Sequence, residues 1–131
     1  MATHEKALTR PPNGERDLEL WIQHAAGLII FEDVRNYAIE QLDANLSEDA
    51  RSAALKAIDH AVYGMVMVID GVSGALKNET HRVNLAVAVQ LTEIETDESI
   101  AEVNLADGDG MCMGYHGWLE GDYGKHPPMV P

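Results

Sequence analysis

Chemistry-bearing side chains concentrate near the C-terminus. Asp107, Asp109, Cys112, His116, Glu120 and Asp122 alternate there with glycines at 108, 110, 114, 117, 121 and 124. Glycine lets a chain turn sharply or approach another backbone closely, and loops of this kind often carry binding or catalysis. Three chemistries are open to such a set. Asp107 and Asp109 are oxygen ligands at a spacing that calcium loops use. An EF-hand also needs an acid at the twelfth position, which here is Trp118, so a plain Asp-Gly turn is the better reading. Cys112 and His116 have zinc-ligand chemistry, with Asp109 or Asp122 to join them. There is no Cys-x-x-Cys or His-Glu-x-x-His pattern, and no metal or cofactor is assigned. Finally, Asp109, Cys112 and His116 would suit a small hydrolase, with or without a metal. Met111 and Met113 flank Cys112, however, and favour a packed small hydrophobe over a nucleophile.

A different use of the same stretch involves its surface. From Glu93 onward there are nine acids, opposed only by Lys125. Carboxylates speed association with a positive partner, and exposed aromatic rings anchor one. The expected protein-binding set is Asp107, Asp109, Tyr115, Trp118, Glu120, Asp122 and Tyr123. The net charge of -13 disfavours nucleic acid and anionic lipid as partners. The two glycines of 71–74 lack the Lys-Ser/Thr ending of a phosphate loop. Asp59 beside His60 is a further acid–base pair, best read as structural.

These residues have to be positioned by a chain of 131 residues, enough for one domain with one core. The expected fold is α+β. Residues 1–14 form a flexible lead ending in Pro11-Pro12-Asn13-Gly14, and 15–131 form one compact domain. Leu18, Trp21, Ile22 and Ala25, then Phe31, Val34, Ala38 and Leu42, space a helix over 15–46, with Gly27 as a kink or break. Ser47 caps the next helix, 50–69, with Glu48 and Asp49 in its first turn. That helix ends apolar all round, so it is expected at the centre, covered on every side. Alternation of Val83, Leu85, Val87, Val89 and Leu91 marks a strand. Asp97-Glu98 then turns the chain into a second strand around 100–105. Residues 111–115 read as a third short strand. The resulting antiparallel sheet is expected to pack on the central helix.

Residues 63–74 followed by Asp-Gly-Asp-Gly-Met-Cys-Met-Gly-Tyr-His-Gly-Trp at 107–118 resemble small uncharacterised bacterial proteins. In size and acidity the chain is also similar to immunity proteins that neutralise basic bacterial toxins. That likeness is one of general character and transfers no residue roles. Cys112 is the only cysteine, which rules out an intrachain disulfide and suits a cytoplasmic setting. No basic-then-apolar leader opens the chain, and no membrane role is expected. The leading expectation is a non-enzymatic protein that binds, and in doing so neutralises, a basic protein or toxin. The alternatives are the hydrolase above and a structural homo-oligomer built on the apolar helix.

Overall fold

The computed structural model describes residues 2–131. Among the described residues, four α-helices and two small antiparallel sheets make up an α+β fold. Helix α1 spans Glu15–Ile30. It starts at Gly14 without a side-chain cap, and Glu15 and Asp17 compensate by placing negative charge in its first turn. Its apolar stripe buries Trp21, Ile22, Ala26 and Leu28. A stretch of wider π-type turns, Phe31–Asn36, carries the chain into the single-turn α2, Tyr37–Glu40.

Helix α3, Glu48–Ile69, begins as its sequence requires: the Ser47 hydroxyl accepts from the Ala50 N–H at 3.2 Å. It ends in a Schellman motif. Gly71 takes the left-handed conformation (φ 76°), its N–H donates to the Val68 carbonyl, and the Val72 N–H donates to that of Met67. The expected full coverage of this helix is not found. Val62, Val66 and Ile69 are buried, but Ala61 and Val68 face solvent. By length and composition α3 could also cross a membrane, and only 17% of its most apolar window is buried in this fold. The apolar all-round pattern therefore marks a helix covered on one side only.

Strands β1 (Leu76–Lys77) and β2 (Arg82–Val83) form one short hairpin. Strands β3 (Ala88–Thr92) and β4 (Ser99–Asn104) form the other. The expected turn at 97–98 is present: Asp97 adopts φ 58°, and the Glu93 N–H donates to the Glu98 carbonyl at 2.9 Å. The continuous strand expected over 82–91 is instead broken at 84–87. The second hairpin lies mainly against α1 rather than α3, which corrects the expected layering.

The third strand expected at 111–115 is a helix. Met111–Leu119 forms α4, packed on both α1 and α3. Glycine has low helix propensity, but here Gly114 gives space to the Trp118 indole, which a Cβ would approach to 2.5 Å. Gly27 plays the same part across the interface. It does not break α1; an added Cβ would lie 2.2 Å from Trp118 Cζ2. The segment before α1, expected to be flexible, pairs with the C-terminal segment. Leu8 bridges Met129, the Thr9 N–H donates to the Pro128 carbonyl, and Trp21 Nε1 donates to the Thr9 hydroxyl at 3.0 Å.

Gly27→Ala provides a test of this packing. Alanine gains ~1 kcal/mol of helix propensity over glycine, but it drives a methyl group into a buried indole, and overpacking of that kind costs roughly 1–3 kcal/mol or more. A net loss of stability in denaturant unfolding is expected. A stabilised variant would show that α1 and α4 do not meet this closely.

Candidate functional site

Two backbone contacts set the position of the glycine-rich stretch. Asp70, the residue that ends α3, extends its carboxylate to the start of α4. Oδ1 accepts from the Met111 N–H at 2.7 Å and Oδ2 from the Cys112 N–H at 2.8 Å. Gly110 supplies no capping side chain, so this remote carboxylate satisfies donors that α4 leaves open and meets the positive end of its dipole. Asp70 is at the same time the C-cap of α3. The second contact is Gln23, buried in α1. Its Oε1 accepts from the Asp109 N–H at 2.8 Å, and its Nε2 donates to Asp109 Oδ2 at 3.3 Å. Gly108 gives it room, because a Cβ there would lie 2.6 Å from Gln23 Oε1. Neither residue belongs to a sequence motif. Gln23 is detectable only as a polar residue on the apolar side of α1.

The expected aromatic anchors are core residues. Tyr115, Trp118 and Tyr123 are 3%, 2% and 5% exposed, so none can insert into a partner. Trp118 and Tyr123 stack with centroids 6.3 Å apart. Burial pushes the Tyr123 phenol up to about 12. The Tyr115 hydroxyl donates to Asp59 Oδ1 at 3.2 Å, and Arg35 Nε donates to the same oxygen at 2.6 Å. Asp59 is thus bound to Arg35 and Tyr115, while its neighbour His60 is exposed.

The residues of the hydrolase reading face different ways. Asp109 turns to α1, where Arg16 Nη2 donates to Oδ1 at 2.8 Å. The Arg16 hydrogen bond holds the Asp109 carboxyl below its usual range. Cys112 and His116 instead turn toward α3. The His116 ring lies 5.7 Å from that of Tyr63. Burial, followed by the neighbouring Asp70 carboxylate, pushes the Cys112 thiol up, away from the thiolate that a nucleophile needs. Among the described residues no group of three His, Cys, Asp or Glu side chains is placed to hold a metal ion. Glu120 and Asp122 are exposed at the far end of α4. Asp122 Oδ1 accepts from the Gly124 N–H at 3.0 Å.

Of the expected set, Asp107 joins a concave surface. It lines a groove of about 380 Å³ between the first half of α1 and β4. Leu18, Ile22, Ala101 and Val103 supply its apolar surface, and Glu15, Glu19, Glu102 and Asp107 its charges. Arg16 sits at the edge, 3.7 Å from Glu19 and already committed to Asp109. Among the described residues, no ion pair reaches Glu15, Glu102 or Asp107. Helical spacing brings Glu15, Leu18, Glu19 and Ile22 to one face of α1. No family model matches the chain, and no curated protein or solved structure matches it either.

Two measurements test the positioning contacts. Asp70→Ala removes two charge-assisted hydrogen bonds and should cost roughly 3 kcal/mol in unfolding free energy. Asp70→Asn keeps one acceptor oxygen and should cost about half of that. Equal losses would deny the two-bond geometry. The second concerns His24, whose Nδ1 accepts from Trp118 Nε1 at 3.0 Å. An indole N–H only donates, so that nitrogen must carry its lone pair. Burial lowers the His24 pKa, against the pull of Asp122 and Asp109. The unfolded chain therefore takes up this proton first, and stability should fall as pH drops below about 6.5. A thermal unfolding series from neutral to mildly acidic pH should show that decline, and His24→Asn should flatten it.

Proposed function

We propose that the protein is a non-enzymatic interaction protein whose α1–β4 groove receives lysine or arginine side chains of a basic protein partner. The supporting observation is the arrangement of Glu15, Glu102 and Asp107 around an apolar surface with no basic residue among the groove's lining. A long basic side chain suits such a surface. Its methylene stem packs on Leu18, Ala101 and Val103 while its charged head reaches the carboxylate rim. The net charge of -13 adds long-range attraction for the same partner. A basic toxin neutralised by masking is one partner of this chemistry. Binding in this reading depends on carboxylates and aliphatic side chains, with the aromatic rings serving to hold α4 in place.

The hydrolase alternative has less support. Asp109 is engaged by Arg16 and Gln23, and the Cys112 thiol is shifted toward its protonated form.

Titration with a lysine- and arginine-rich peptide, followed by calorimetry at low and high salt, tests the proposal. Binding should weaken with salt. The double reversal Glu15→Lys with Glu102→Lys should reduce affinity at least about tenfold, because it replaces attraction with like-charge repulsion. Reversal at Glu48 and Asp49, which do not line the groove, should have a much smaller effect. Equal losses from both pairs would reduce the proposal to unspecific charge attraction, and no binding at low salt would end it.

A further inference from the structure

We propose that two copies of this chain associate by pairing residues 83–87 antiparallel with their own equivalents. The sequence Val83-Asn84-Leu85-Ala86-Val87 has the alternation of a strand, yet most of it finds no partner within the chain. Among the described residues, no backbone hydrogen bond involves Asn84, Leu85 or Ala86. The apolar members are uncovered: Val83, Leu85 and Val87 are 67%, 72% and 38% exposed. Their segment links β2 to β3, and each of those strands has only one strand neighbour.

Three observations favour a second copy as the occupant. First, the segment is self-complementary about Leu85. Antiparallel self-pairing sets Val83 opposite the partner's Val87 and Leu85 opposite its own equivalent. The result is an isologous contact of β-branched and aliphatic pairs. Second, the segment itself carries no charge that would oppose self-contact. Residues 83–92 contain no charged side chain, and the whole of 50–92 has Arg51, Lys56, Lys77 and Arg82 against Asp59, Asp70 and Glu79. Two molecules of charge -13 repel as wholes, so an uncharged segment is where contact costs least. Third, the backbone orientation is suitable. The Val87 carbonyl accepts from the Leu105 N–H at 2.9 Å. Continuing the strand alternation then directs the Asn84 and Ala86 backbones to the opposite edge. On that edge Leu85 occupies a non-hydrogen-bonded pair, where facing side chains are closest. A short strand pair alone makes a small interface. The apolar groove lined by Val87, Val89, Ala26, Ile29 and Ile30 adjoins it and extends the same surface.

Sedimentation analysis of the full chain from about 1 μM to about 1 mM, the range over which a modest pair titrates, should show a monomer–dimer equilibrium. Leu85→Glu should weaken it about 100-fold or more by exchanging two buried leucines for facing carboxylates. Circular dichroism should be unchanged, since the side chain is largely exposed. Leu85→Cys in a Cys112→Ala background should give a disulfide-linked dimer on oxidation, because the pairing places position 85 opposite itself. A strict monomer over the whole range overturns the proposal. So does a dimer that Leu85→Glu leaves intact, or one in which Leu85→Cys does not cross-link.

Discussion

Insertion of Trp118 between two glycines is the contact on which the rest of the molecule depends. Gly27 on α1 and Gly114 on α4 remove the side chains that would hold the helices apart. The indole fills the space, stacks on Tyr123 and donates to His24. A single buried ring thereby fixes how closely α4 approaches α1. Asp70 fixes the other coordinate by binding the first N–H groups of α4 from the end of α3. Packing alone would leave a nine-residue helix free to slide or fray, since short helices are marginal without tertiary support. The ring supplies contact area and the carboxylate supplies direction.

Charge is unevenly distributed along the chain. Acidic residues cluster outside 50–92, where nineteen acids face five basic residues. Within 50–92 the charges nearly cancel, and that stretch contains the exposed face of α3 and the uncovered 83–87 segment. Uncovered apolar side chains are not confined to that stretch, since Ile94, Ile100 and Met113 are exposed among the acids.

Much of the fold could be read in the sequence because the signals were local. Ser47, Glu48 and Asp49 sit within one turn of the helix they start, and Gly71 within one residue of the end it marks. The alternation through Val89 and Leu91 and the Asp97 turn specified the second hairpin within a few residues. The errors arose where partners are distant. The glycines of α4 read as loop or strand because glycine disfavours helix in isolation. Their purpose becomes visible only once Trp118 and Gly27, ninety-one positions apart in sequence, are seen together. Rings at Tyr115, Trp118 and Tyr123 among acids have the same sequence pattern whether they point out or in. Asp70 sits at the end of α3, and its contacts at Met111 and Cys112 have no signature at that separation. The candidate site was half legible: Glu102 and Asp107 belong to the acidic stretch, but Glu15 and Glu19 come from α1.

Helix α1 is the element that relates these surfaces. Its first half faces β4 across the acidic groove, and its second half faces β3 across the apolar one. One helix lying on a two-stranded hairpin leaves a crevice on each flank, because a hairpin of two strands is too narrow to cover the helix. A third strand on either side would fill one crevice and bury the adjoining chain. Nothing in residues 84–87 supplies that strand, and the β1–β2 hairpin leads away to its own short ladder. The narrow sheet is thus the common cause of both features: it leaves carboxylates accessible beside β4 and aliphatic side chains accessible beside β3. The sequence on each flank then determines the chemistry, with glutamates at helical spacing on one side and isoleucines and valines on the other.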